Sequence, residues 1–149
     1  MYHRAMNRFL VGSTGLAIGL VAAIATAQDG GADGAGRRGW TIPPGAAQQP
    51  NPVAASPEVL AKGKKLYEDN CQKCHGKSGK GDGPDADADH MPDDFTDPAR
   101  VARNPDGVMF HKIWNGRKSP KMPAAKSEGL SETDVWTVVH FVKTFRPKA

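Results

Sequence analysis

Cys71-Gln72-Lys73-Cys74-His75 is the stretch that decides how this chain is read. Two thiols two residues apart, with an imidazole directly after the second, form the attachment pattern of a c-type haem. Each thiol can make a thioether with one haem vinyl group, and His75 is then delivered to one face of the iron. Three rival uses of such a cysteine pair fit less well. A structural zinc site needs four ligands, but the chain holds only two cysteines, and His3, His90, His111 and His140 make no tight pair. A thioredoxin-like dithiol wants a βαβ setting, and no strand-helix alternation surrounds this one. A disulfide leaves the adjacent histidine unexplained. A covalent haem with a protein nitrogen on its iron is typically a one-electron device, so the pattern points to electron transfer.

The chain has 149 residues, enough for one domain. Its first 27 residues read as a signal peptide. Arg4 and Arg8 give a positive start, Phe9 to Ala25 is an uncharged and mostly apolar run, and Ala25-Thr26-Ala27 supplies the small-x-small cleavage pattern before Gln28. The alternative is a retained membrane anchor over residues 9–27, close to the minimum span of about 17–20 residues. Either way the expected location of the domain is outside the cytoplasmic membrane, in the periplasm, where c-type haem attachment is completed. Loss of residues 1–27 removes two arginines and no acid, so the formal charge falls from +4 to +2. Two haem propionates would bring it near zero. Net charge therefore says little about partners, and the compartment gives no support to nucleic-acid binding. With both cysteines used by the haem, none remains for a disulfide. The macrocycle instead adds apolar surface to a small domain whose own core is modest.

Residues 28–56 are rich in Gly, Ala, Gln and Pro and show no hydrophobic period, the composition of a flexible linker. Trp40-Thr41-Ile42 is its one apolar spot, either stray or laid over the domain. The domain proper spans residues 57–149. Ser56-Pro57 suits a helix start, and Val59, Leu60, Gly63, Leu66 and Tyr67 recur at helical spacing up to about Asn70. A long Gly/Asp/Pro-rich loop covers 76–100. Asn104-Pro105-Asp106 signals a second start, and Asn115-Gly116 a stop. Ser131-Glu132-Thr133-Asp134 opens a last helix with a capping box, flanked by Leu130 and Val135 at staple positions, and Pro147 ends it. No segment alternates with period two. The expected fold class is all-α.

The group on the other face of the iron separates an electron carrier from a reactive haem. A thioether raises the reduction potential, a second histidine lowers it relative to that, and an open site permits ligand binding. Met6 lies in the signal region, Met109 in a helical core pattern, and Met91 in the acidic loop. Met122 lies in Lys118-Ser119-Pro120-Lys121-Met122-Pro123, where flanking prolines stiffen an extended backbone. That setting suits a sulfur held against a flat ring.

Taken in order, these residues resemble the class I (monohaem) bacterial c-type cytochromes. The resemblance rests on Gly63 and Tyr67, Cys71 to Gly76, Gly81-Asp82-Gly83-Pro84, Asp94-Phe95-Thr96-Asp97-Pro98, Ile113-Trp114-Asn115-Gly116, Met122-Pro123, and Leu130-Ser131 leading to Val135-Trp136. It implies three to five helices wrapped round one haem c, with His75 and Met122 as axial ligands. It further implies that the first and last helices cross at Gly63 and Tyr67 against Val138 and Phe141, and that the Pro84 carbonyl accepts the proton on the other nitrogen of His75, a contact that orients such a ligand. Cys71, Cys74, His75, Met122, Pro84 and Tyr67 are thus the expected haem-binding residues. The expected function is electron transfer with redox partner proteins such as a dehydrogenase, respiratory complex or oxidase. The alternative is a haem enzyme or gas sensor with an open sixth position, for which no distal acid-base constellation is present.

Seven aspartates between Asp82 and Asp97 form an acidic lobe. Asp85-x-Asp87-x-Asp89 has the start of a calcium loop, but His90 and Thr96 replace the glycine and the acid that such a loop requires, so a solvated loop is expected. Lys62, Lys64, Lys65, Lys73, Lys77 and Lys80 border the haem motif, and Lys112, Arg117, Lys118, Lys121 and Lys126 border the Met122 loop. Such a distribution gives either a basic docking rim or an ordinary solvated face.

Overall fold

The computed structural model describes residues 39–146. The expected signal peptide, the linker up to residue 38, and Pro147 lie outside the described residues. Within them are five α-helices, α1 (Pro57–Asn70), α2 (Gln72–His75), α3 (Pro98–Ala102), α4 (Asp106–Asn115) and α5 (Glu132–Val142). No strand occurs among the described residues, only an isolated bridge between Arg117 and Met122. The fold is all-α and cytochrome c-like, as expected. No described helix is long and apolar enough to cross a membrane.

Local chemistry sets the ends of the long helices. The Ser56 hydroxyl accepts from Val59 N at 3.2 Å, and Pro57 occupies the first turn, where its missing N–H costs nothing. At α5 the Ser131 hydroxyl accepts from Asp134 N, and the Asp134 carboxylate accepts from Ser131 N, both at 3.1 Å. This closes the expected capping box. The start of α4 departs from its sequence signal. Asn104 does not cap it; Pro105 stands at the boundary without a side-chain bond. Asn104 instead donates to the Arg100 carbonyl at 2.7 Å and accepts from Lys112 Nζ at 2.6 Å, tying α3 to α4.

Helices α1 and α5 cross at the core. A Cβ on Gly63 would lie 2.6 Å from the Thr137 carbonyl oxygen and 2.9 Å from Phe141 Cβ, so only glycine permits this approach. Tyr67, 1% exposed, lies one turn on, with its ring 5.4 Å from that of Phe141. Val135, Trp136, Val138, Val139 and Val142 of α5 pack in the same core with Met109 and Phe110 of α4. Burying each large apolar side chain is worth about 1.5–3 kcal/mol. The exposed pairs Lys64–Glu68 and Lys65–Asp69 are each worth a few tenths. The seam, not the surface charge, holds the two helices together.

From Trp40 to Val53 the structure corrects the linker reading. Trp40, Ile42 and Ala46 are buried with Val108 in a second apolar cluster. Ala46 lies so close to Gly107 that its carbonyl leaves no room there for a Cβ. Asn51 Nδ2 donates to the Trp136 carbonyl at 2.9 Å, and His140 Nε2 to the Val53 carbonyl at 2.6 Å. The reason is that a few well-spaced apolar and polar side chains suffice to fix a segment whose average composition is that of a linker.

Asp134 gives the fold a pH dependence. Its hydrogen bonds from Lys62 and Ser131 lower its carboxyl from 3.8 to about 2. A depressed carboxylate stabilises the fold above its unfolded value and loses that contribution as pH falls through the folded value. Denaturant unfolding of the holo protein should therefore show stability falling between about pH 4 and pH 2, with Asp134→Asn flattening this window. A profile unchanged in Asp134→Asn contradicts the assignment.

Candidate functional site

The motif occupies a single helical turn. Cys71 N donates to the Tyr67 carbonyl at 2.8 Å as α1 ends, and His75 N donates to the Cys71 carbonyl at 2.9 Å in α2. One turn sets both sulfurs and the imidazole from one short rigid piece. The following loop folds back on it: Gly81 N donates to the His75 carbonyl at 2.9 Å, Gly83 N to the Cys74 carbonyl at 3.2 Å, and Asp85 N to the Lys73 carbonyl at 2.8 Å. Tyr67 fixes the far end, its hydroxyl donating to the Gly76 carbonyl at 2.7 Å. It thus acts on the site by positioning the residue next to His75.

Both cysteines are free thiols. Burial pushes the Cys71 thiol up to about 12, so it is protonated near neutrality. Cys74 Sγ donates to the Asp85 carbonyl at 3.6 Å. Burial lowers the pKa of His75, helped by the Arg117 charge and opposed by that of Asp93. A lowered pKa keeps the imidazole neutral, with a lone pair to offer a metal. Its ring stacks on Phe95 at 4.9 Å and 14°, and Phe95 in turn stacks on Phe145.

The Nδ1 atom of His75 is buried with no hydrogen-bond partner. Pro84 lies between residues 83 and 85, which are bonded to α2 carbonyls, and Asp93 is the acidic neighbour acting on the ring. Two thiols and a neutral, half-buried imidazole on one helical turn fit the donor set of a covalent haem. The fit is to Cys71, Cys74 and His75.

The methionines separate by position. Met109 is buried in the main core, and Met91 is 52% exposed on the acidic loop. Met122 is partly buried against the Trp40 cluster. It exchanges two backbone hydrogen bonds with Arg117, Arg117 N to Met122 O at 2.9 Å and Met122 N to Arg117 O at 3.0 Å. Arg117 is also the cation whose charge acts on His75, which ties the Met122 loop to the neighbourhood of the motif. An open cleft of about 360 Å³ lies beside the loop, lined by Arg117, Lys118, Lys121 and Met122 among others.

The charges are more sorted than the sequence indicated. Lys62 pairs with Asp134, Lys64 with Glu68 and Lys65 with Asp69, so the α1 lysines are largely neutralised. Lys73 and Lys77, and Lys118 and Lys121 on the Met122 loop, make no ion pair among the described residues. In the acidic lobe, Arg100 bonds Asp93 at 2.7 Å and lies 3.5 Å from Asp97, and Asp94 accepts from the Thr96 hydroxyl at 2.6 Å. Sequence reasoning gave no role to Phe95; the available signal was a lone aromatic inside a run of aspartates.

A protein-family model described as Cytochrome c matches residues 60–146. Among solved structures, a chain of the Kuenenia stuttgartiensis reducing HAO-like protein complex is similar, with 30% identity and a TM-score of 0.55. The match covers 64% of this chain and 47% of that one, so this chain spans about half the length of that relative. No curated protein matches.

Attachment through Cys71 and Cys74 is checked by extraction. Acidified organic solvent should leave the haem on the wild-type chain and remove it from a Cys71→Ala/Cys74→Ala double variant. Haem extracted from the wild type contradicts thioether attachment.

Proposed function

The chain belongs to the cytochrome c family, which holds haem c covalently, here through Cys71 and Cys74, and from that premise we propose that it is an exported electron-transfer protein with His75 and Met122 on the two faces of the iron. The observation that supports this best is the arrangement of Cys71, Cys74 and His75 on one helical turn, with His75 half-buried and its pKa lowered by that burial. The bound haem supplies a one-electron Fe(III)/Fe(II) couple.

The chain's own residues do the rest. Cys71 and Cys74 fix the macrocycle to α2, and Tyr67 with the returning loop holds that turn rigid. The pair of bonds between Arg117 and Met122 presents the thioether from a closed loop. A thioether ligand would raise the potential relative to a second histidine. With both His75 and Met122 holding the iron, no position would remain for substrate, which favours a carrier over a haem enzyme or gas sensor. Residues 1–27 give the route of export, with haem attachment on the outer side of the cytoplasmic membrane.

Docking is assigned to Lys73, Lys77, Lys118 and Lys121, which make no ion pair among the described residues and flank both ligand-bearing segments. They suit a partner with an acidic docking face. Reduction by the physiological partner should slow as ionic strength rises; a rate indifferent to salt argues against steering.

A second reading is favoured by the similarity to one chain of a complex: this chain as a fixed electron-accepting subunit rather than a diffusing carrier. The two readings differ in whether the chain purifies alone or in fixed stoichiometry with a partner.

Absorption spectra of the purified protein test the ligand set. The oxidised form should be low-spin with a thioether-to-Fe(III) charge-transfer band, and the reduced form should bind CO weakly and slowly. Met122→Ala should lose the band and bind CO readily. Rapid, tight CO binding by the wild type overturns six-coordination.

A further inference from the structure

Trp40 stands outside the helical domain, yet it is 8% exposed and lies at the base of the Met122 loop. The Arg117 guanidinium carbon sits 4.3 Å from the centre of its ring, and Lys112 Nζ lies 5.2 Å from it. Arg117 is the residue whose backbone pairs in both directions with Met122. Met122 itself packs on the cluster of Trp40, Ile42, Ala46 and Val108. The loop between Arg117 and Met122 therefore meets the N-terminal segment through the arginine at one end, while the methionine at the other packs on the cluster that the segment forms with Val108.

The segment is also anchored on α4 and α5. Ala46 is lodged against Gly107 at the start of α4. Gln49 Oε1 lies 3.2 Å from His111 Nε2, and Asn51 and Val53 bond to Trp136 and His140 of α5. A strap fixed on α4 and α5 and ending on the loop can transmit the rigidity of the core to the loop. Lys118 and Lys121 of the loop line an open cleft on its other side.

We propose that residues 40–53 form a positioning strap, with Trp40 as its key, that holds the Arg117–Met122 loop closed and so keeps the methionine sulfur on the iron. The proposal rests on Met122 being the sixth ligand. Trp40 touches neither the haem nor the iron in this assignment; it acts through Arg117 and through the packing of Met122. Loss of the strap therefore changes how easily the sulfur is displaced rather than which group is the ligand.

Imidazole, titrated into the oxidised, full-length holo protein, is the probe. It competes with the thioether for the iron, so its apparent affinity reports the cost of opening the loop. A desolvated cation–π contact, together with the lost packing of the indole, predicts that Trp40→Ala raises imidazole affinity about tenfold, equivalent to about 1.4 kcal/mol. The charge-transfer band should persist without imidazole. Trp40→Leu, which keeps apolar cover over Val108 but removes the ring from Arg117, should shift affinity in the same direction by about threefold. This milder variant decides the matter if Trp40→Ala yields no holo protein. Ser131→Ala, at the α5 cap, should lower the denaturation midpoint of the holo protein and leave imidazole affinity unchanged. That contrast separates positioning from general destabilisation.

Imidazole affinity equal to wild type in Trp40→Leu, or an increase in Ser131→Ala as large as in the Trp40 variants, overturns the strap. Met122→Ala distinguishes that failure from failure of the ligand assignment. If Met122→Ala loses the charge-transfer band while the Trp40 variants bind imidazole as wild type does, the strap alone is wrong. If Met122→Ala keeps the wild-type band and affinity, the ligand assignment is wrong and the strap's role falls with it.

Discussion

The absence of a side chain at Gly63 is the constraint from which the site is built. It lets α1 lie on α5 with the Thr137 carbonyl and Phe141 Cβ where a larger residue would collide. At that distance Tyr67 is shut into the core between Phe141 and Phe145. A phenol buried there needs a partner for its hydroxyl, and the Gly76 carbonyl provides one. That bond spans the whole haem motif, from the last turns of α1 to the residue after His75. Helix crossing and ligand orientation are thus one mechanical unit. The apolar seam fixes α1, α1 fixes Tyr67, and Tyr67 fixes the end of α2.

Burial then does chemical work on the ligand. A low-dielectric surrounding disfavours the imidazolium, and the Arg117 charge pushes the same way, against Asp93. The aromatic stack of His75, Phe95 and Phe145 limits the ring to one plane while connecting the acidic lobe to the end of the chain's last helix. On the opposite flank, the Trp40 cluster covers α4 and the Met122 loop. The molecule therefore grips its site from two sides, one built from the long helices and one from a segment that contains no α-helix.

Much of this was legible beforehand because its causes are local. Ser56 and Ser131 read as helix caps and are caps, since the hydroxyl and the amide it accepts from are only three residues apart. Val59 to Tyr67 and Val135 to Val142 read as helical faces because burial repeats with the helical turn. Asn104 carried the same type of signal and does something else, because Lys112 and the Arg100 carbonyl offered it better partners. The five-residue α3 and the four-residue α2 are too short for any period to register. Pro84 was placed by the resemblance alone, and the way its loop bonds back to α2 carries no local sequence signal.

The sequence by itself determined the covalent chemistry: two thiols and an imidazole at fixed spacing can be met on one helical turn whatever surrounds them. It determined the all-α class as well, through caps and periodicity that each short stretch contains in full. Only the tertiary structure decided that a Gly- and Pro-rich segment packs on α4 and α5, that Phe95 stacks on His75, that the α1 lysines are paired with acids, and that Trp40 lies under Arg117. These are pairings between residues far apart in the chain, and composition and spacing hold no information about which distant surfaces will meet.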